Sequence, residues 1–205
     1  MRDTLIYRYL TRDIRSFDIN FDNKDTPDFW INSGREFSNC NQESLKTEFL
    51  KVKNSTKVIV EIGVSRITNI QSYEQTSTSI LLNYKNPETL YLGIDIDDKS
   101  FLRGPNVHTL QARSENYTVI LNKFKELGIH KIDFLFVDGW HSINQVIDEL
   151  WYIDFMKSGG VIGYHDVNFH PGPSRIINVL RPDIFKTTKY CNEENDWGIG
   201  FAQLL

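Results

Sequence analysis

Five short runs rich in β-branched and aromatic residues recur from residue 58 onward, and helix-like segments separate them. A chain with this pattern folds as a parallel sheet covered by helices on both faces, because successive parallel strands need long crossover connections. The sequence therefore predicts a doubly wound α/β domain. Its parallel strands are predicted at 58–62, 90–95, 107–110, 133–137 and 161–164.

Helical periodicity marks two of the connections. Apolar residues at helical spacing fill 117–127 behind Ser114 as a candidate N-cap, and Gly128 ends the run. A second apolar stripe follows Ser142, and Ser142 with Gln145 fits a capping box at a helix start. We therefore expect one helix before the fourth strand and another after it.

The two ends of the chain depart from this alternation. Residues 185–205 contain two strand-like runs around a polar turn, and strands joined so closely must be antiparallel. Residues 1–41 lack sustained periodicity and contain "DNKDTPD", which predicts an irregular arm or lid ahead of a helix at 42–52. The predicted division is therefore an N-terminal arm at 1–41 and a single domain at 42–205.

Composition excludes several classes of protein. No run approaches the roughly 18 apolar residues that a membrane span requires. The net charge of -4 and the pI near 5.7 provide no basic field for nucleic acid. We therefore expect a small-molecule partner, no nucleic acid and no membrane. The chain start lacks the apolar core of a secretory signal and only Cys40 and Cys191 are available for a disulfide, which together favour a reducing cytoplasm.

Polar residues and a glycine follow the first two predicted strands, where an open parallel sheet binds its ligands. Glu61 lies at the end of the first strand, and Gly63 would let the backbone approach a ligand closely. Asp95 ends the second strand, and its carboxylate can accept hydrogen bonds from both hydroxyls of a ribose. The alternative is that Asp95 caps a turn. The pairing with Gly63 favours a nucleoside cofactor.

Two classes of nucleoside cofactor use such a sheet. A dinucleotide site expects G-x-G-x-x-G and an acid about 20 residues further on, because the glycines admit a pyrophosphate to a helix N-terminus. This chain has a single glycine in "EIGVSRITNI", and 32 positions separate Gly63 from Asp95. S-adenosylmethionine has no phosphate and needs no such cradle, so the spacing favours it over NAD.

Several stretches together carry a resemblance to a known family. The segments "VIVEIGVSR", "STSILL", "YLGIDID", "FLFVDGWHSINQVIDELWYIDFMKSGGVIGYHD" and "WGIGF" cover residues 57–205. They resemble class I S-adenosylmethionine-dependent methyltransferases, above all the macrocin-type sugar O-methyltransferases and more distantly catechol O-methyltransferases. The most specific part is the D-G-x-H, apolar helix, G-G, H-D succession.

The resemblance implies a Rossmann-like methyltransferase fold with a seven-stranded, mostly parallel sheet that ends in an antiparallel hairpin. It also implies a set of residues that hold S-adenosylmethionine. The chain departs from the family pattern by inserting 66–76 before "STSILL", directly after one member of that set, Ser65. The implied cofactor-binding residues are Glu61, Gly63, Ser65, Asp95, Ile96, Arg113, Ser114 and Trp140.

Two acids and two histidines follow the fourth and fifth predicted strands. These strands would be neighbours about 4.8 Å apart, so Asp138 and Asp166 would emerge side by side and could share a cation. In related methyltransferases such acids hold Mg²⁺, which lowers the pKa of the attacking hydroxyl. His165 stands where metal-dependent relatives carry another acid, and an imidazole suits Mn²⁺ or Zn²⁺ better. His165 could instead pair with the acids and replace the ion.

His141 is a candidate general base, since an imidazole with a pKa near 6.5 can remove the hydroxyl proton during transfer. The alternative is that His141 only fixes the loop. His170 is expected to be a solvent-exposed loop residue. We therefore expect methyl transfer to a hydroxyl of a sugar or polyhydroxylated metabolite, with Asp138, His141 and His165 as catalytic residues; a homo-oligomer is compatible with this function. The alternatives are a catalytically inactive methyltransferase-like binding domain and an NAD-dependent oxidoreductase.

Overall fold

One seven-stranded mixed sheet organises the molecule, as the sequence predicts. The computed structural model describes residues 1–17, 38–65, 76–193 and 196–205. The strand order is β3-β2-β1-β4-β5-β7-β6. The strands are β1 (Val58–Ile62), β2 (Leu90–Asp95), β3 (Val107–Gln111), β4 (Ile132–Val137), β5 (Met156–His165), β6 (Phe185–Tyr190) and β7 (Ile199–Leu204).

Strands β1 to β5 are parallel, and β7 and β6 form the antiparallel hairpin at one edge. The chain builds outward from β1 through β2 to β3, and then returns to place β4 on the other side of β1. Ligands of open α/β sheets bind where the strand order reverses in this way. The ends of β1, β2 and β4 therefore define the edge at which a site is expected.

Helices cover both faces of the sheet, and each face has its own apolar cluster. The helices α1, α4, α5 and α6 contribute to one cluster, and α2 and α3 to the other. Adjacent β1 residues alternate between the two, as strand geometry requires: Ile59 belongs to one and Val60 to the other. The helices are α1 (Arg2–Tyr9), α2 (Asn39–Val52), α3 (Ser77–Tyr84), α4 (Tyr117–Leu127), α5 (Ile143–Glu149) and α6 (Pro171–Val179).

The two predicted crossover helices, α4 and α5, are present, with one change of cap. Gly128 ends α4 in the left-handed conformation that glycine adopts without a steric penalty. The N-cap of α4 is Asn116 and not Ser114, because Ser114 donates its hydroxyl elsewhere, to Glu149. Ser142 caps α5 as predicted, with its Oγ accepting from the amide of Gln145 at 3.1 Å.

The prediction of an irregular arm is wrong at its two ends. Residues Arg2–Tyr9 form α1, which buries Leu5, Ile6 and Tyr9. Helix α2 begins at Asn39, three residues before the predicted start, since Ser38 accepts a hydrogen bond from the Asn41 amide and caps it. The stretch "DNKDTPD" and residues 66–75 of the insertion lie outside the described residues. The boundary at 41/42 stays a prediction.

A disulfide joins Cys40 in the first turn of α2 to Cys191 after β6, with the Cα atoms 5.8 Å apart. Disulfides persist mainly in oxidising compartments. This bond therefore does not favour the predicted reducing cytoplasm, and the location stays a prediction. Among the described residues, no helix is long and apolar enough to cross a membrane.

Candidate active site

Gly63 and Asp138 bring the ends of β1 and β4 into contact. Gly63 has a φ of +79°, and a Cβ atom built on it would lie 1.9 Å from the carbonyl oxygen of Asp138. The Asp138 amide donates to Ile62 O at 2.8 Å, and the Gly63 amide to Ile94 O at 3.0 Å. The glycine is therefore required by the neighbouring backbone, and its predicted contact with a cofactor stays a prediction.

Asp95 lies at the end of β2 with its carboxylate held by the backbone. Oδ2 accepts from the amide of Val64 and Oδ1 from that of Asp97, both at 2.8 Å. The alternative role of Asp95, capping a turn, is therefore present. These two hydrogen bonds leave the carboxylate able to accept more, because each oxygen can accept two hydrogen bonds. The side chain is 11% exposed, so the carboxylate is oriented by the protein and still reachable.

Lys99 also contacts the loop after β1, which Asp95 holds through the Val64 amide. Its Nζ donates to the carbonyl of Ser65 at 3.1 Å and lies 3.9 Å from Asp95 Oδ2. The Ser65 amide donates to Thr78 Oγ1 at 3.0 Å. Ser65 thus contributes its backbone to the frame of the site. Sequence reasoning missed Lys99, since a lysine four residues after Asp95 carries no signal of burial.

Glu61 is fully buried between β1, β2 and α3. Ser77 donates to its Oε1 at 2.7 Å and the Tyr91 hydroxyl donates to its Oε2. Burial raises the pKa of Glu61 to about 7, although these donors act in the opposite direction. Both oxygens are engaged by protein hydroxyls, so these contacts do not favour the predicted direct role in cofactor binding.

Two large apolar side chains are exposed after the strand ends. Ile96, after β2, is 68% exposed, and Trp140, after β4, is 56% exposed. Exposed side chains of this size near a polar edge are suited to an aromatic ligand such as a purine. Arg113 is also exposed and pairs with Glu115.

Ser114 belongs to a buried polar network with Glu149. Its hydroxyl donates to Glu149 Oε1 at 2.5 Å, and Gln145 Nε2 donates to the same oxygen at 3.1 Å. Burial raises the pKa of Glu149 to about 7. Glu149 Oε2 is buried and has no hydrogen-bond partner within the described ranges. Sequence analysis missed Glu149, because it lies within an apolar helical stripe.

The ends of β4 and β5 bring together the predicted acids and histidines. His165 Nδ1 lies 3.1 Å from Asp138 Oδ1 and 3.1 Å from Asp166 Oδ1. His141 Nε2 lies 3.0 Å from Asp166 Oδ2 and 3.6 Å from Asp138 Oδ1. Asp166 has a φ of 62°, which turns the chain directly after β5. The four side chains form one cluster, which we call the acid–histidine cluster.

The charges in this cluster stabilise one another. Burial acts to lower the pKa of His165, but the carboxylates of Asp166 and Asp138 outweigh it and raise this pKa to about 9. Burial acts to raise the pKa of Asp138, but the imidazoles of His165 and His141 hold it below its usual range. The pKa of His141 is likewise raised by Asp166 and Asp138 against burial. The two carboxylates therefore favour the protonated form of both imidazoles.

His170 extends the cluster, although it was expected to be an exposed loop residue. Only 17% of its side chain is exposed. Its ring lies 4.3 Å from that of His141 and stacks at 5.2 Å on Trp197, measured between ring centroids. Burial, followed by the charges of His141 and His165, lowers the pKa of His170 to about 3. His170 is therefore a neutral imidazole that packs His141 in place.

Two overlapping sets of side chains could hold a metal ion. Asp138, His165 and Asp166 form one, and His141, Asp166 and His170 form the other. Within each set, all ligand atoms lie within 4.8 Å of one another. Each set combines carboxylate with imidazole, a donor mixture that suits Mn²⁺ or Zn²⁺ better than Mg²⁺.

Comparison with known proteins identifies the architecture. No family model matches the chain, and no curated protein does. Among solved structures, MycE, a methyltransferase from the mycinamycin biosynthetic pathway in complex with Mg, SAH and mycinamycin VI, superposes on 79% of this chain with a TM-score of 0.56 and 15% identity. Apo CalS11, a TDP-rhamnose 3'-O-methyltransferase, gives 0.58 over 80% at 12% identity. The chain has the Rossmann-like methyltransferase fold.

Other matches extend the range of chemistry on this fold. An rRNA methylase from Streptococcus thermophilus superposes on 80% of this chain with a TM-score of 0.56 and 12% identity. The three matches cover 48% of the MycE chain, 78% of the CalS11 chain and 93% of the methylase chain. The chain thus spans about half the length of MycE. At these identities the likeness establishes the fold and not the activity.

On this methyltransferase fold, the predicted site residues divide into two groups. One group follows β1, β2 and β3. In this group Lys99 contacts Ser65 and Asp95, and Ser114 donates a hydrogen bond to Glu149. The other is the acid–histidine cluster after β4 and β5. Trp140 lies in the loop after β4, between Asp138 and His141 of the acid–histidine cluster.

Proposed function

We propose that this protein transfers a methyl group from S-adenosylmethionine to a hydroxyl of a small molecule, such as a sugar or polyhydroxylated metabolite. The observation that carries the proposal is the acid–histidine cluster, which faces the same sheet edge as Asp95. Acidic and basic groups are what deprotonation of an alcohol requires. Support comes from MycE, solved with SAH and Mg, and from CalS11, a sugar O-methyltransferase.

Residues after β1 to β4 fit the cofactor. Asp95 offers remaining lone pairs to ribose hydroxyls, and its carboxylate is already oriented by the amides of Val64 and Asp97. Ile96 and Trp140 offer apolar surface to the adenine. When bound, S-adenosylmethionine supplies an electrophilic methyl group on a sulfonium sulfur. In the transfer, the C–S bond breaks as the bond from methyl carbon to acceptor oxygen forms.

Asp138 and Asp166 would hold a divalent ion, with His165 Nδ1 as a third donor. The donor set fits such an ion, because His165 Nδ1 lies 3.1 Å from both carboxylates and all three groups converge. The imidazole favours Mn²⁺ or Zn²⁺ over Mg²⁺. A bound ion would supply a positive charge that lowers the pKa of the acceptor hydroxyl.

His141 is the proposed base. Its Nε2 faces both carboxylates and would receive the hydroxyl proton as the oxygen attacks. His141 must be neutral to do so. Asp166 and Asp138 raise its pKa, and a divalent ion held by the same two carboxylates would lower it again. The packing of His170 and Trp197 behind it fixes the ring orientation. Asp138 and Asp166 orient His141 from the opposite side.

Two other functions make different predictions for ligand binding and methyl transfer. A catalytically inactive methyltransferase-like domain would bind S-adenosylhomocysteine and transfer nothing. An NAD-dependent oxidoreductase is disfavoured by the single glycine after β1. The net charge of -4 supports a small acceptor rather than nucleic acid. The cytoplasmic location and the oligomeric state stay predictions.

The test is a transfer assay with S-adenosylmethionine labelled in its methyl group. A panel of nucleotide sugars, glycosides and catechols is compared with an RNA control, with and without Mn²⁺. The proposal predicts that label enters a hydroxylated small molecule and is lost in His141→Ala. Label in RNA alone, or no label in any acceptor despite binding of S-adenosylhomocysteine, would count against it.

A further inference from the structure

Asn41 connects the N-terminal part of the chain to the acid–histidine cluster. It lies in the first turn of α2 and is 0% exposed. Its Nδ2 lies 3.1 Å from His165 Nε2, a contact between residues 124 positions apart. His165 is thus held at both ring nitrogens, by Asn41 on one side and by two carboxylates on the other. Asn41 is outside the residues that sequence reasoning singled out.

The contacts of His165 determine which nitrogen can face a metal. The carboxylates of Asp138 and Asp166 only accept hydrogen bonds, so in the metal-free protein Nδ1 carries a proton, and in the cationic ring Nε2 carries a second one. If Nδ1 binds a metal, Nδ1 gives up its proton, Nε2 carries the one that remains, and this Nε2–H needs an acceptor. Metal-binding histidines almost always donate their second ring N–H to such an outer partner.

The amide of Asn41 can serve both situations. Its nitrogen donates to an unprotonated Nε2, and its oxygen accepts from a protonated one after rotation about the terminal bond. In the described part of the chain, Asn41 Oδ1 is buried and has no hydrogen-bond partner. A buried, unpartnered carbonyl costs free energy, so this oxygen is available for the second arrangement.

Three connections fix Asn41 in place. Ser38 Oγ accepts from the Asn41 amide at 3.1 Å and donates to Asp196 Oδ2 at 2.6 Å. The adjacent Cys40 is bonded to Cys191. Asn168 Nδ2 in turn donates to the carbonyls of Cys191 and Asp196, at 2.8 and 2.7 Å. The first turn of α2 is thereby attached to the segment between β6 and β7.

We propose that Asn41 is a positioning residue for His165: its amide keeps Nδ1 directed at Asp138 and Asp166, and its oxygen supports the Nε2–H form in which Nδ1 binds a metal. The metal part of this inference rests on the proposed function. The positioning part rests only on the contacts around His165.

The first test is nitrogen-15 NMR of the metal-free protein labelled at histidine. Asn41→Leu removes both hydrogen-bonding groups at similar size, and Asn41→Asp keeps only acceptors. Asn39→Leu, an exposed position in the same turn, is the matched control. The His165 Nε2 resonance should move in both Asn41 variants and stay in place in the control. An Nε2 resonance that does not move in Asn41→Asp, the more conservative variant, would overturn the proposal.

The second test is calorimetric titration with Zn²⁺ and, separately, with S-adenosylhomocysteine. Asn41→Leu should weaken Zn²⁺ binding about 10- to 100-fold, as expected for a lost outer-shell partner, and leave S-adenosylhomocysteine binding unchanged. Asn41→Asp should retain Zn²⁺ binding. Wild-type Zn²⁺ affinity in Asn41→Leu, or no Zn²⁺ binding by the wild type, would overturn the metal part. Absence of S-adenosylhomocysteine binding would contradict the proposed function instead, and the NMR result would still stand.

Discussion

The carbonyl oxygen of Asp138 lies 1.9 Å from the point at which a side chain on Gly63 would begin. Gly63 and Asp138 directly follow β1 and β4, and the Asp138 backbone leaves no room for a side chain at position 63. Gly128 offers a matched comparison, because it also has a positive φ, of +68°, but nothing lies within 4 Å of its would-be Cβ.

Gly63→Ala is therefore expected to lower the free energy of unfolding by about 3 kcal/mol or more, since overpacking adds to backbone strain. Gly128→Ala should cost only the strain, about 1 kcal/mol. Urea denaturation of both variants measures the difference. Equal stability of the two variants would show that the Asp138 backbone moves aside. The predicted cofactor contact would then be the remaining reason for a glycine at position 63.

Glu61 predicts a pH dependence of stability. Its pKa is about 7 in the folded protein and 4.5 as a free side chain, so the folded state binds the proton more tightly. The stabilisation is complete below pH 4.5 and is lost as the pH rises through 7. Glu61→Gln does not titrate and keeps one of the two acceptor oxygens to which Ser77 and Tyr91 donate, so it should remove a loss of about 3 kcal/mol across this range. Parallel curves for wild type and variant from pH 4.5 to 7.5 would contradict the shifted pKa.

The disulfide predicts no free thiol in the unfolded protein without reductant and two thiols after reduction. The double variant Cys40→Ser, Cys191→Ser should be about 2 to 4 kcal/mol less stable, the usual contribution of such a bond. Reductant should cause the same loss in the wild type and none in the variant. Two titratable thiols in protein purified without reductant would show that the bond does not form.

Strands β1 and β4 were predictable because each is a mainly apolar run that is buried on both faces, as Phe134 and Leu135 in β4 illustrate, since they belong to the two different apolar clusters. The cluster was partly predictable, since Asp138 and Asp166 directly follow neighbouring parallel strands. Asn41 was not, because its contact with His165 spans 124 positions and depends on how α2 docks. Helix α1 was missed because its 8 residues are too few to show periodicity. The burial of His170 depends on Trp197, which only the β6–β7 hairpin brings near.

The metal prediction concerns Asp138 and Asp166. Activity should be lost in EDTA and restored by Mn²⁺, and Asp138→Asn or Asp166→Asn should reduce turnover far more than affinity for S-adenosylhomocysteine. Asp183→Asn serves as a control, because Asp183 is an exposed acid that pairs with Arg181 and is not part of the acid–histidine cluster. Turnover and cofactor binding are measured on the same preparations.

Full activity in EDTA, with no metal found in the purified protein, would contradict the proposed metal site. His165 would then be the positive charge between the two acids. In that case His141→Ala should still lower turnover by roughly 10²- to 10⁴-fold, the usual contribution of a general base. Unchanged turnover in this variant would reduce His141 to a loop-fixing residue.

The central claim is that this fold binds S-adenosylmethionine at Asp95, and calorimetric titration with S-adenosylhomocysteine tests it most directly. Asp95→Ala should weaken binding by about 1 to 3 kcal/mol, because buried hydroxyls lose their acceptor. Asp97→Ala, whose side chain is exposed beside it, is the control and should bind as the wild type does. Binding of S-adenosylhomocysteine but not NAD by the wild type, with the loss confined to Asp95→Ala, is the predicted result. Binding of NAD alone, or equal affinity in all three proteins, would contradict it.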